Sequence, residues 1–88
     1  MDEKTHQKMV SLAVDFDRKQ QSRHDKNPKR YRYNIYAMPQ YLCAINRVKE
    51  EMGEGISLES AIKHNFCGKL LRYFVKKMGL NVEVNSRE

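Results

Sequence analysis

Eighty-eight residues, 40% of them hydrophobic and 32% charged, predict one domain with one small core, since a chain of this size hides only about 60–65% of its unfolded surface. No apolar run approaches the ~20 residues of a membrane-spanning helix, and Met1-Asp2-Glu3-Lys4 opens the chain without the apolar stretch of a secretory signal. Two cysteines are too few for a disulfide scaffold, so a cytoplasmic, reducing location is expected for this basic chain of formal net charge +6.

The first predicted helix covers about residues 4–19, where Met9, Leu12, Ala13 and Phe16 recur at i, i+3, i+4 and i+7. Asp2 and Glu3 near its start and Arg18 and Lys19 near its end suit the helix dipole. Gln20-Gln21-Ser22-Arg23-His24 carries no apolar residue, and Asn27-Pro28 stops any helix, because proline pushes the residue before it to extended geometry. Residues 20–38 therefore read as a basic, tyrosine-rich connecting segment. Within it Tyr31, Tyr33, Ile35 and Ala37 alternate with Arg32, Asn34, Tyr36 and Met38. This is a weak strand-like period whose one candidate partner is Val82-Glu83-Val84, and an ordered loop is favoured over that pairing.

The second predicted helix covers 39–52. Pro39 fits its first turn, and Tyr41, Leu42, Ala44, Ile45, Val48 and Met52 fall on the side opposite Cys43, Asn46, Arg47, Glu50 and Glu51. Gly53 and Gly55 punctuate its end. A short third helix over 58–64 has Ser57 as N-cap and Glu59 in its first turn, with Leu58, Ala61 and Ile62 apolar. The last helix, 67–78, has the cleanest pattern: Cys67, Leu70, Leu71, Phe74, Val75 and Met78 share one arc, and Lys69, Arg72, Tyr73, Lys76 and Lys77 share the other. Gly79 closes it, and 81–88 form a tail. The expected fold class is all-α: a small single-domain bundle of about four helices, with a basic tyrosine-rich loop or short extended segment between the first two. On this register Cys67 is expected buried and Cys43 reachable.

Nothing in the chain assembles a catalytic or metal site. His64-x-x-Cys67 is the one ligand-like spacing, and a structural zinc site needs two such pairs converging. Glu50 and Glu51, adjacent on a helix, point about 100° apart and make no carboxylate dyad. No enzymatic activity, cofactor, metal or membrane contact is expected.

Charge is the informative feature. Residues 18–32 hold Arg18, Lys19, Arg23, Lys26, Lys29, Arg30 and Arg32 against Asp25 alone, and residues 63–80 hold Lys63, Lys69, Arg72, Lys76 and Lys77 with no acid. Two such blocks make one polyanion-binding face if the fold brings them together. The 57–78 helix pair has the proportions of a helix-turn-helix, with Ala61 small at the crossing and Lys69, Arg72 and Tyr73 toward the start of the second helix. Against this stand Ser60 and His64, at first-helix positions expected to face the core. The arm at 23–33 interleaves arginines, which bind phosphate bidentately, with tyrosines that hydrogen-bond phosphate or stack on bases. The expected function is non-enzymatic nucleic-acid binding, DNA favoured over RNA, through Arg23, Lys26, Lys29, Arg30 and Arg32 on phosphate and Lys69, Arg72, Tyr73 and Lys76 along a groove. The alternative is a small adaptor or inhibitor docking an acidic protein partner, to which five methionines and five tyrosines lend an adaptable surface.

Overall fold

Four helices carry the chain: α1 (Glu3–Lys26), α2 (Ala37–Gly53), α3 (Leu58–Asn65) and α4 (Gly68–Met78). The computed structural model describes residues 1–84, among which no strand occurs. The fold class is all-α, as the periodicities predict. Val82-Glu83-Val84 pairs with nothing as a strand, and of the predicted tail, residues 85–88 lie outside the described residues.

Each helix end has a local cause. Asp2 caps α1 by accepting a hydrogen bond from the Thr5 backbone N–H at 2.7 Å, and that bond holds its carboxyl below the usual carboxylate range. Before α2, whose N-cap Tyr36 makes no side-chain cap bond, Asn34 forms a turn instead: its side-chain oxygen accepts from the Tyr36 N–H at 2.9 Å, and its carbonyl accepts from the Ala37 N–H. Helix α2 therefore starts two residues before the expected Pro39. Ser57 Oγ accepts from the Ser60 N–H and starts α3. At the end of α4, Gly79 takes the left-handed conformation at φ 64°, while the Leu80 N–H bonds to the Val75 carbonyl and the Gly79 N–H to that of Lys76. This is a Schellman closure.

The largest departure from the sequence expectation is α1. It runs to Lys26, through the whole of Gln20-Gln21-Ser22-Arg23-His24, so the connecting segment begins at Asn27 rather than at 20. Lack of apolar residues does not end a helix when the residues are good helix formers and no breaker intervenes, and the first breaker is Asn27-Pro28. At 1.5 Å per residue α1 is about 36 Å long, most of the molecule's longest dimension of 43 Å.

Helix α2 packs on both α1 and α3, and α4 packs on α1. The core comprises Met9 and Ala13 of α1, Ile45 and Val48 of α2, Ala61 and Ile62 of α3, Phe66 in the α3–α4 turn, and Leu71 and Phe74 of α4. Phe74 is fully buried, and its ring meets Phe66 edge-on at a centroid distance of 4.6 Å, a favoured aromatic geometry. Four expectations about facing residues are corrected. Leu42, expected on the apolar side of α2, is exposed. Cys67 is exposed, because it is the extended N-cap of α4 rather than a residue on its apolar arc. Ser60 and His64 are also exposed; the core face of α3 is filled by Ala61 and Ile62.

His64 instead ties α3 to α2. Its Nδ1 lies 2.9 Å from Glu51 Oε1, and the Asn65 amide donates both to Glu51 Oε2 and to the Ala61 carbonyl. The hydrogen bonds from His64 and then Asn65 pull the Glu51 carboxyl below its ordinary range.

Two outcomes follow. Phe74→Ala costs about 3–5 kcal/mol, a large share of the roughly 5–15 kcal/mol typical of a domain. Its thermal melt should shift far down or vanish, whereas a midpoint within a few degrees of the parent would place this ring outside the core. Glu51→Gln keeps the shape and removes the charge. Because the folded-state pKa of Glu51 is depressed, its contribution is present above the unfolded value near 4.5 and lost as pH falls through the folded value. Parent and variant melting temperatures should therefore differ at neutral pH and converge in acid.

Candidate functional site

Beyond Phe16, α1 has no core beneath it and is held from two flanks. On one, α4 lies alongside: Phe16 packs against Tyr73 at a centroid distance of 5.2 Å, and Lys19 Nζ sits 5.0 Å from the centre of the same ring. On the other flank the connecting segment folds back. The His24 ring bonds the Tyr31 carbonyl through Nδ1 at 2.7 Å; a carbonyl only accepts, so this nitrogen carries the proton. Tyr33 Oη donates to Asp17 Oδ2 at 3.0 Å. The bond to Asp17 pushes the Tyr33 phenol above its ordinary pKa, since ionising it would break the bond and set two anions together. Burial, and then the Asp17 charge, does the same for Tyr41.

The two flanks make two adjoining grooves. The narrower, about 280 Å³, is lined by Phe16, Lys19, Gln20 and Arg23 of α1 and by Lys69, Arg72, Tyr73 and Lys76 of α4. Both sets are spaced i, i+3, i+4, i+7, so each is one stripe along its helix, and the stripes face each other. Five cations line this groove and no carboxylate does. Among the described residues none of the five makes a salt bridge to an acidic side chain. Like charges at this spacing repel, and the arrangement holds a positive potential in a concave surface.

The wider groove, about 510 Å³, continues from the narrow one across Phe16, Gln20 and Lys69. Its walls include Tyr41, Phe66 and Leu70, the amides of Gln20, Asn34, Gln40 and Asn65, and the cations Arg32 and Lys69. Asp17 also lines it, with Oδ1 buried and without a hydrogen-bond partner among the described residues.

The structure thus joins the two basic blocks, but through a subset of the expected residues. Arg23, Lys69, Arg72, Tyr73 and Lys76 share the narrow groove, and Arg32 lines the wide one, as Lys69 also does. Lys26, Lys29 and Arg30 line neither groove; Lys26 ends α1, and the other two project from the exposed turn after it. Arg30 lies over the neighbouring Tyr31 ring at 5.6 Å. Tyr73 is half-buried against Phe16 and Phe74, so it serves as a floor for Lys19 rather than as a free side chain on the outer arc of α4. Sequence reasoning missed Lys19 and Gln20 as site residues. The signal was present, since Phe16, Lys19, Gln20 and Arg23 continue the i, i+3, i+4, i+7 rhythm, but it is visible only if the helix is carried past residue 19.

Comparison with known protein families finds no match, and comparisons with curated proteins and with solved structures find none either. The thiols provide a direct test of the groove geometry. Cys43 and Cys67 are both exposed, and Cys67 lines the wide groove, so both should react readily with a thiol reagent in the native protein. Protection of Cys67 until unfolding would return it to the core and remove this wall of the groove.

Proposed function

We propose that the protein is a non-enzymatic nucleic-acid-binding module that grips a phosphate backbone in the narrow groove between α1 and α4. The observation that carries this reading is the meeting of Lys19 and Arg23 from the first basic block with Lys69, Arg72 and Lys76 from the second, in one concavity without a carboxylate. Arginine forks bind phosphate oxygens in pairs, and lysines add point charge. Releasing condensed counterions from the polyanion then provides the driving force. Arg32 extends the cationic track into the lining of the wide groove, while Lys26, Lys29 and Arg30 sit beyond it as a diffuse positive flank.

DNA is favoured on the strength of the α3–turn–α4 pair. The turn is Phe66-Cys67 and Ala61 is buried, while α3 packs chiefly on α2 and α4 on α1; Ser60 and His64 lie in solvent, so no polar residue of α3 is forced into the core. In that mode Lys69 and Arg72 would contact bases; the half-buried Tyr73 would not. A second reading, docking of an acidic protein, draws on the same cations and on the exposed Ile35 and Tyr36, at 70% and 69%, an apolar pair in the connecting segment.

A salt titration of binding to duplex and single-stranded DNA tests the proposal. Replacing Arg72 and Lys76 with glutamine should weaken binding and lower the magnitude of the log K against log salt slope by roughly two, about one for every phosphate no longer neutralised. Replacing Lys29 and Arg30 should lower it by much less, because they lie outside the groove. Equal effects from the two pairs would mean that only net charge matters. No binding to any nucleic acid at ~50 mM salt, where cationic patches act strongly, would favour the acidic-protein reading.

A further inference from the structure

The wide groove has a different chemistry from the narrow one, and the two are continuous. In the narrow groove every charged group is a cation. In the wide one the cations Arg32 and Lys69 and the Asp17 carboxylate share the lining with Tyr41 and Leu70, whose half-buried side chains provide the accessible apolar and aromatic surface, over the buried rings of Phe16 and Phe66. A phosphate is repelled by Asp17 and gains nothing from the apolar walls, whereas an uncharged, flat, polar-edged ring suits them. Among the described residues the side-chain amides of Gln20 and Gln40 make no hydrogen bond to another protein group. Each therefore offers a free donor and acceptor to such an edge. The cavity, about 510 Å³, falls within the range of small-molecule sites.

We infer that the wide groove seats an unpaired nucleobase of a single-stranded nucleic acid whose phosphates lie along the Lys19–Arg23–Lys69–Arg72–Lys76 groove. The inference rests on the proposed phosphate grip and adds the kind of strand. In a duplex the bases are stacked and paired, and none can enter a side groove without being flipped out at a cost. In a single strand the base leaves the backbone freely, so one surface takes the phosphate and its neighbour takes the ring, the combination by which single strands are generally held. Gln20, shared by both grooves, stands where the sugar would pass from one to the other. The wide groove thus favours a single strand over the duplex that the helix pair suggests.

The test compares three probes on the whole chain: an oligothymidylate, an abasic strand with the same number of phosphates, and a duplex. Binding is followed by anisotropy and by the protein's own tyrosine fluorescence, which is unobscured because the chain has five tyrosines and no tryptophan. The thymidine strand should bind about tenfold or more tighter than the abasic strand, the usual scale of a base stacked on an aromatic side chain, and should perturb the tyrosine signal beyond the change the abasic strand causes through Tyr73. A bulky maleimide placed on Cys67 of the folded Cys43→Ser protein occupies the wide groove without deleting any core atom. It should erase that difference and leave the salt slope in place. If thymidine and abasic strands bind equally, with or without the blocking group, the base seat is wrong and the phosphate grip stands. If the duplex binds more tightly than the thymidine strand, the single-strand assignment is overturned. If no probe binds at ~50 mM salt, the phosphate grip falls and the base seat with it.

Discussion

Phe16 is the contact on which the geometry of this protein turns. It is the last buried residue of α1, only 7% exposed, and it meets Tyr41 of α2 edge-on at 5.8 Å and Tyr73 of α4 at 5.2 Å. Three helices are thereby referenced to one ring. Beyond it α1 continues without a core of its own, so the direction in which Phe16 is clamped sets where Lys19, Gln20 and Arg23 go. Both grooves have Phe16 in their lining. Packed aromatic clusters are stiff, which makes this ring a fixed origin for a binding surface otherwise built of long, flexible cationic side chains.

The constraints on a small domain show in how the exposed part of α1 is kept in place. A chain this short has few apolar residues to spare, and α1 beyond Phe16 contributes none. It is held instead by a cation over an aromatic ring, Lys19 on Tyr73, and by the two hydrogen bonds that draw Tyr31 and Tyr33 back onto His24 and Asp17. Interactions of this kind are individually modest, but Lys19, Tyr73, Asp17 and Tyr33 also line the grooves. Stability and surface chemistry are the same contacts here, and the buried, unpartnered oxygen of Asp17 is a cost carried where the wide groove begins.

Much of the fold was legible in order and type. The apolar rhythms at Met9–Phe16, Tyr41–Met52 and Leu70–Met78, the Ser57 cap and the Gly79 stop each match the structure, because each is a local signal read over one or two turns. The misreadings share a cause as well. Residues 20–26 lack an apolar face, and Cys67 sits one residue before α4, where apolar character gives no hint that its backbone is extended. Periodicity detects burial, and these residues are not buried. Within the candidate site, the clustering of positive charge in two blocks was plain in the sequence, while the membership of Lys19 and Gln20, and the exclusion of Lys26, Lys29 and Arg30, were not.

Composition and patterning alone determined an all-helical chain, the approximate positions of its four helices, the apolar stripes that meet in the core, and a net positive charge concentrated in two stretches. Those properties depend on neighbours within a few residues, which a linear sequence displays directly. The tertiary structure decided which cations face each other. Residues 19–23 and 69–76 lie roughly fifty positions apart, and their meeting depends on the clamp at Phe16 and on the return of the connecting segment along α1. It also decided that an apolar groove would open beside the cationic one, since a cavity is the space left between packed elements and belongs to no single stretch of chain.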